Sequence, residues 1–172
     1  MRDERDFEEY VAGRWPVLVR SAVFLGCSAP EAEDLVQTTL LRCFRSWDRV
    51  SGAGSRDAYV YRVMLNALAS SRARLWHGER PSGDRMDDRP SAVDVAEAVT
   101  AAETLRAALH TLSAEQRAVL VLRYYADLPE HEVADVLGVP IGTVKSRSAR
   151  ALARLLDLLD DPSSTTGVRN HD

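Results

Sequence analysis

The residues best placed to do chemistry in this sequence lie on one side of a segment near its C-terminus. A helical wheel through residues 141–156 brings together Thr143, Ser146, Arg147, Arg150 and Arg154. This segment holds four basic residues and no acidic one. Hydroxyl and guanidinium groups hydrogen-bond to base edges, and a lysine such as Lys145 holds a phosphate. For a lone helix such a basic face is more often merely solvated, but with a helix and turn in register before it the pattern favours a helix in the major groove of DNA.

The elements around this segment predict a helix-turn-helix. A short helix is predicted over Pro129–Leu137, with Val133 and Ala134 on its apolar face. Gly138 should end it because glycine adopts the left-handed conformation without steric cost, and Pro140 suits the first turn of the next helix. The predicted core side of that second helix carries Val144, Ser148, Ala151, Leu152 and Leu155. Helix, three-residue turn and helix together form the motif.

Two further sets of residues lie earlier in the chain. Tyr59, Arg62 and Asn66 follow an i, i+3, i+7 spacing, and such a stripe can stack on and hydrogen-bond an unpaired base. The alternative is that Tyr59 is simply a core aromatic residue.

A helix that begins after Ser28 and runs to about Trp47 carries the other set. Its predicted core face comprises Ala32, Val36, Leu40, Cys43, Phe44 and Trp47. Its opposite face carries Asp34, Gln37, Thr38, Leu41 and Arg45. An exposed leucine among polar side chains indicates a docking surface.

Capping signals fix several helix starts. Ser28 with Glu31, and Ser113 with Gln116, have the spacing of capping boxes. Ser55 or Asp57 should begin a helix that ends near Trp76. Pro16 interrupts the first periodic segment, so a kink or two helices are expected there. Period-two alternation does not persist, which predicts an all-α fold.

Composition divides the chain into two small helical domains joined by a flexible linker. The predicted domains are 1–76 and 98–159, and the C-terminal one contains the helix-turn-helix. Residues 77–97 are rich in Pro, Gly and charge, which indicates a linker, and 160–172 should be a disordered tail.

Charge argues against a chain that binds DNA tightly unaided. The net charge is −4, and residues 112–156 hold six basic and five acidic residues. Affinity for DNA grows with the number of phosphates neutralised, and roughly four cations are too few at cellular salt. Either the protein dimerises or a larger partner supplies most of the DNA contact.

Other functional classes receive little support. No apolar run is long enough for a bilayer, and the charged N-terminus is unlike a signal peptide, so a cytoplasmic protein without membrane insertion is predicted. The sequence lacks phosphate-loop, nucleophile-elbow and zinc-protease motifs, and its four histidines are scattered. We therefore expect no enzyme activity, catalytic residue, metal or cofactor. Cys27 and Cys43 fit reduced thiols.

Three motifs in order carry a family resemblance. Glu31-Ala-Glu-Asp-Leu-Val-Gln, Tyr59-Val-Tyr-Arg-Val-Met-Leu-Asn and Gly142-Thr-Val-Lys-Ser-Arg resemble bacterial RNA polymerase sigma factors of the extracytoplasmic-function (ECF) class, in the sigma-70 family. The segments Arg14-Trp-Pro and Arg117-Ala-Val-Leu-Val-Leu-Arg-Tyr are most similar to the actinobacterial sigma-E-type subgroup. The resemblance covers nearly the whole chain except linker and tail.

The resemblance implies a transcription initiation factor and a role for each set of residues. It implies that region 2 (1–76) docks on core RNA polymerase through Asp34, Leu35, Gln37 and Leu41. It implies that the same region opens the minus-ten element, with Tyr59, Arg62 and Asn66 on the melted strand and the loop Asp48–Gly54 reading it. It implies that region 4 (98–159) contacts the minus-thirty-five element through Thr143, Lys145, Ser146, Arg147, Ala149 and Arg150.

The implied partners are core RNA polymerase and promoter DNA, with an anti-sigma factor as a further expectation, and the free chain should be a monomer. The alternative is a stand-alone dimeric helix-turn-helix regulator, which leaves the segments Asp34–Gln37 and Tyr59–Asn66 without a role. A helical anti-sigma-like interaction module would leave the basic face without a purpose.

Overall fold

A computed structural model of the chain describes residues 2–76 and 96–160, with side chains over 4–75 and 101–160. Every regular element in these ranges is a helix, which confirms the predicted all-α class. The elements are α1 (Arg2–Phe24), α2 (Ala29–Phe44), α3 (Trp47–Ser51), α4 (Arg56–Trp76), α5 (Ala96–Thr111), α6 (Ala114–Leu120), a π-helical segment (Val121–Tyr125), α7 (Glu130–Leu137) and α8 (Ile141–Asp160). No helix in the described ranges is long and apolar enough to cross a membrane.

Both predicted capping boxes are present. The Ser28 hydroxyl accepts from the Glu31 amide at 3.4 Å, and the Ser28 amide donates to Glu31 Oε2 at 2.8 Å. Ser113 and Gln116 repeat this exchange at the start of α6. Each box satisfies amides that have no partner within the helix, which explains why these starts are readable from sequence.

The first helix departs from the expected break. Pro16 lies inside α1, which is a single helix, so the division into two helices is wrong. Proline removes one hydrogen bond, to the carbonyl of Ala12, and Ala12 lies on the exposed side where water can reach it. Beyond Pro16, Leu18 and Ala22 are fully buried, so tertiary packing keeps the helix continuous.

Two other helix ends differ from the predictions. Helix α2 ends at Phe44 rather than near Trp47, and Trp47 instead begins the short helix α3 within the predicted loop Asp48–Gly54. Trp47 points inward there and donates from Nε1 to Asp6 at 3.1 Å. The indole therefore has a tertiary partner on α1 that local periodicity does not reveal.

Helices α1, α2 and α4 form the N-terminal half around a shared core. Its fully buried members include Leu18, Val36, Val60, Tyr61 and Met64. The Tyr61 and Ser21 hydroxyls lie 2.7 Å apart, so the buried phenol has a hydrogen-bond partner. Asp57, in the first turn of α4, accepts from Tyr10 at 2.8 Å and pairs with Arg14. These contacts fix the start of α4 against α1.

The C-terminal half contains the predicted helix-turn-helix. Gly138 has φ 65°, and the Val139 amide donates to the Ala134 carbonyl at 3.1 Å, which closes the end of α7. Helix α8 buries Val144, Ser148, Ala151 and Leu155, as predicted, against α5, α6 and α7. The turn and packing match the motif inferred from sequence.

The two halves also touch each other directly. The rings of Phe24, at the end of α1, and Tyr125, in the π-helical segment, meet edge to face with centroids 5.1 Å apart. Ala96 and Glu97, assigned to the linker by sequence, begin α5. The rest of the predicted linker, and the predicted tail after Asp160, lie outside the described residues.

Candidate nucleic-acid interface

Helix α8 presents a polar surface opposite its buried side. Lys145, Ser146, Ala149 and Arg150 are all exposed, and we call these four residues the reading face. The Ser146 hydroxyl donates to the Thr143 carbonyl at 3.2 Å, and Arg150 Nε donates to the Ser146 carbonyl at 3.3 Å. The Arg150 side chain is therefore held along the exposed surface of α8.

The other two predicted contacts on this helix differ from the reading face. Thr143 is half-buried. Arg147 is only 23% exposed in its side chain, and its guanidinium pairs with Glu115 of α6 at 3.3 Å. Its charge already bridges two helices of the domain, so Arg147 is less available to DNA than Arg150. A helical wheel cannot show this because Glu115 comes from another helix.

A pocket beside the reading face does not follow from the sequence patterns described above. A cavity of about 600 Å³ is lined by Arg123, Pro129, Glu130, His131, Ile141 and Lys145. Glu130 lies between two cations, 3.4 Å from Arg123 and 3.8 Å from Lys145. Arg123 Nε is buried without a hydrogen-bond partner in the described part of the chain. The sequence feature that could have revealed this pocket is Arg123, which lies in the helical segment just before the helix-turn-helix.

The predicted stripe for unpaired bases lies on α4. Arg62 and Asn66 are exposed, while Tyr59 is half-buried and packs on the core. Both interpretations of Tyr59 thus keep some support, since its ring is neither fully buried nor free. The side chains of Arg62 and Asn66 remain accessible on one face of a helix whose start is fixed by Asp57.

The predicted docking face on α2 is exposed at three of its four residues. Asp34 and Gln37 are exposed, and Leu41 is 55% exposed. Leu35 is the exception because it is only 8% exposed and belongs to the core. The prediction that its side chain contacts a partner directly is therefore wrong. Leu35 precedes Val36 in the sequence, and both side chains are buried in the core.

An apolar groove adjoins this face and was not predicted. It encloses about 450 Å³ between α1 and α2 and is lined by Glu4, Phe7, Glu8, Val11, Trp15, Gln37, Leu40, Leu41 and Phe44. We call it the docking groove. Phe44 was predicted to be core, but it is 43% exposed, with its ring 4.9 Å from Phe7. It lies at the last residue of α2, where α1 covers only one side of the ring.

Comparison with known proteins decides which family carries these surfaces. The family model for sigma-70 region 2 matches residues 14–77, and the model for sigma-70 region 4 matches residues 108–156. The chain belongs to the sigma-70 family, in its ECF class. The reading face lies in region 4, and the α4 stripe and docking groove lie largely in region 2.

Individual relatives resemble this sigma factor over most of their length. It is 37% identical to the RNA polymerase sigma-E factor of Streptomyces avermitilis, over 90% of this chain and 86% of that protein. It is 35% identical to the RNA polymerase sigma-E factor of Streptomyces coelicolor, over 92% of this chain and 89% of that protein. The ECF sigma factor SigM of Mycobacterium tuberculosis is 30% identical, over 97% and 84%.

Two solved structures have a similar fold, and one of them is a sigma factor. RpoE of Bartonella quintana, in complex with the anti-sigma factor NepR, superposes with a TM-score of 0.70 at 27% identity, over 92% of this chain and 99% of that one. CnrH, in complex with the cytosolic domain of CnrY, superposes with a TM-score of 0.62 at 26% identity, over 91% of this chain and 89% of that one. This sigma factor is thus a transcription initiation factor that directs RNA polymerase to promoters, and the stand-alone regulator is not favoured.

The two cysteines of the sigma factor are buried thiols. Burial raises the pKa of Cys27, and it raises the pKa of Cys43 to about 11. The thiolate is the reactive form, so both groups should react slowly at neutral pH. Among the described residues, no group of three or more His, Cys, Asp or Glu side chains could hold a metal ion.

We expect native Cys43 to react with iodoacetamide at pH 8 about 100-fold more slowly than in the unfolded chain, since burial raises its pKa to about 11 and the thiolate is the reactive form. Mass spectrometry of peptides after timed alkylation, with and without denaturant, measures the ratio. Equal rates would contradict burial of this thiol in solution.

Proposed function

We propose that this sigma factor divides promoter recognition between its two halves. The docking groove, with Asp34, Gln37 and Leu41, binds core RNA polymerase. The stripe Tyr59, Arg62 and Asn66 on α4 engages the melted minus-ten strand. The reading face of α8 contacts the minus-thirty-five element, with Arg150 as its principal base-reading side chain. Residues 1–76 and 98–159 act as the two functional domains.

The observation that carries the proposal is the two-sided character of α8. One side is locked into the core by Val144, Ser148 and Ala151, while the reading face remains exposed. A helix fixed in this way can enter the major groove without losing its packing. Arg147 supports the domain from within, through Glu115, and Thr143 anchors Ser146.

Electrostatics supports the need for polymerase. The chain carries a net charge of −4, and Glu130 partly neutralises Arg123 and Lys145 near the reading face. About four cations release too few counterions for tight binding at physiological salt. Polymerase therefore supplies most of the affinity, and this chain supplies sequence preference. The acidic side chains Glu4 and Glu8, which line the docking groove, and the exposed Asp34 suit a basic partner surface.

The docking groove supports a polymerase contact on physical grounds. Exposed apolar side chains grouped in one groove indicate a surface that a partner covers. Leu41 and Phe44 are exposed apolar members of the lining, and Glu4, Glu8 and Gln37 are its polar members, a mixture that is usual in protein interfaces.

An anti-sigma partner is a further part of the proposal. Two structural relatives are bound to NepR and to the cytosolic domain of CnrY. We expect a protein of this kind to cover the docking groove or the reading face of this chain. The relatives are initiation factors, and we propose that this chain likewise has no catalytic activity or cofactor, and acts in the cytoplasm as a monomer until it binds polymerase.

Run-off transcription with purified bacterial core RNA polymerase tests the proposal. Genomic DNA fragments from the source organism should give discrete transcripts only when this chain is added, and the start sites should share two upstream elements. Core enzyme alone is the control. A dimer on gel filtration that binds an operator at nanomolar concentration and physiological salt, without polymerase, would instead support the stand-alone regulator.

A further inference from the structure

The pocket beside the reading face holds two cations around one carboxylate. Glu130 is the first residue of α7, and its Oε1 accepts from Arg123 Nη2 at 3.4 Å. Its Oε2 lies 3.8 Å from Lys145 Nζ. The side chains of Glu130, Arg123 and Lys145 are 34%, 26% and 63% exposed, so all three are accessible from solvent. We call these three residues the pocket triad.

The carboxylate holds both cations weakly. Charge-assisted N–H···O bonds usually have donor–acceptor distances of about 2.7–2.9 Å. The Arg123 contact, at 3.4 Å, is longer, and the Lys145 contact, at 3.8 Å, is an ion pair beyond hydrogen-bond distance. Arginine has several N–H donors, and Arg123 Nε has no hydrogen-bond partner within the described ranges. The two cations therefore retain hydrogen-bonding capacity for a stronger acceptor than Glu130.

Both cations are supported independently of Glu130. Arg123 Nη1 donates to the Leu128 carbonyl at 3.4 Å, and the guanidinium carbon lies 5.8 Å from the centre of the Tyr124 ring, within the range of a cation–π contact. Arg123 comes from the π-helical segment, whereas Lys145 comes from α8. Removal of the Glu130 charge should therefore leave both cations beside the pocket.

The helix that carries Glu130 is the one expected to cross the DNA backbone. In a helix-turn-helix, the first helix crosses the phosphate backbone while the N-terminal part of the second helix meets the base edges. Here α7 is the first helix, and Lys145 of α8 belongs both to the pocket and to the reading face. A backbone phosphate should therefore approach the pocket triad when the reading face enters the major groove.

A carboxylate at this place opposes the binding of DNA. Glu130 and a phosphate are both anions and compete for the same two cations, so the pocket triad has one net positive charge with Glu130 and two without it. DNA affinity rises with each phosphate that is neutralised, and it then falls more steeply with salt. A purely structural role for Glu130, as an acid in the first turn of α7, predicts instead that its removal lowers stability without raising DNA affinity.

We propose that Arg123 and Lys145 form a binding site for a phosphate of the DNA backbone, and that Glu130 occupies this site as an internal counter-ion in the free sigma factor. A contact to the backbone adds affinity without sequence preference. Glu130 thus lowers the affinity of the free chain for DNA of every sequence and leaves the choice of sequence to the reading face. The inference rests on the proposed contact between α8 and upstream promoter DNA.

Glu130→Gln in the full chain tests the proposal, because it removes the charge and keeps the size of the side chain. Fluorescence anisotropy with a labelled duplex gives the dissociation constant at about 50, 100 and 150 mM salt, and neutralising one further phosphate steepens the slope of log K against log salt by about 0.9. That slope corresponds to about eightfold at about 0.1 M salt, so we expect Glu130→Gln to bind about threefold to tenfold more tightly there. The gain should be the same for a mapped promoter duplex and for a scrambled duplex.

Asp135→Asn is the matched control for charge. It removes one negative charge from the exposed side of the same helix, and Asp135 is not among the residues that line the pocket. It should leave the salt slope unchanged. In a chain that already carries Lys145→Gln, Glu130→Gln should give a smaller gain than in the unmodified chain, because only Arg123 remains to be freed.

The other results would overturn the proposal. These are an unchanged or lower DNA affinity of Glu130→Gln, an equal gain in Asp135→Asn, an equal gain with and without Lys145, and a gain confined to one DNA sequence. Thermal unfolding of each variant shows whether an unchanged affinity comes with the lower stability that the structural role predicts. Failure of the unmodified chain to direct transcription would count against the proposed function instead, while the affinity and salt slope on any duplex still test the pocket triad.

Discussion

Arg150→Ala is expected to lower promoter-specific transcription by about 5-fold to 150-fold while leaving the affinity for core polymerase unchanged. A side chain that reads a base edge contributes about 1–3 kcal/mol of discrimination, and each 1.4 kcal/mol is a factor of ten. Arg150 is exposed on the reading face, and its Nε contact to the Ser146 carbonyl keeps it on that surface. Run-off transcription and a polymerase-binding titration measure the two quantities separately.

Arg154→Ala is the matched control because it removes the same charge one turn further along α8, where the side chain is also exposed. Arg154→Ala should reduce transcription less than Arg150→Ala does, and by the same factor at every promoter. Arg150→Ala should also lose preference for the native upstream element over a scrambled one. Equal effects of both substitutions on all templates would mean that Arg150 acts only through its charge.

The double substitution Leu41→Ala/Phe44→Ala is expected to weaken binding to core polymerase by about 30-fold or more. Truncating large apolar side chains at the centre of an interface commonly costs 2 kcal/mol or more. Both residues line the docking groove and are 55% and 43% exposed, so folding of the free chain depends little on them. Fluorescence anisotropy of the labelled sigma factor with core polymerase gives the dissociation constant.

Leu75→Ala is the matched control for the docking groove. Leu75 is 49% exposed and lies in the same half of the chain, on α4, but it does not line the groove. It should bind polymerase like the unmodified chain. If Leu75→Ala and the double variant weaken binding equally, the docking groove is not the polymerase contact. In the absence of polymerase, DNA that carries the upstream element should bind region 4 equally in the unmodified chain, the double variant and Leu75→Ala.

Local sequence patterns predicted much of the fold. The capping boxes at Ser28 and Ser113, the left-handed glycine at Gly138 and the buried side of α8 all follow from short-range chemistry. Such signals need only a few neighbouring residues, since caps and helical faces are fixed within one or two turns. The family motifs assign the candidate surfaces to α2, α4 and α8.

Errors arose wherever a distant partner decided the outcome. Pro16 remains inside α1 because the residues after it pack into the core, and Trp47 leaves α2 for a hydrogen bond to Asp6. Phe44 is half-exposed because α1 covers only part of it, whereas Leu35 is buried although it lies within the docking motif. Periodicity assigns residues to a face, but it does not say how much of that face a neighbour covers.

The sequence by itself determined the helical class, the helix-turn-helix and the polar face that we propose contacts DNA, because these depend on residue type and short spacing. Only the tertiary structure decided that Arg147 is paired with Glu115 while Arg150 is exposed, that α1 and α2 leave an apolar groove, and that region 4 rests on the end of α1. The physical reason is that charge pairing, groove formation and contact between halves join residues far apart in the chain. No local pattern specifies such contacts, since they exist only once the helices have packed.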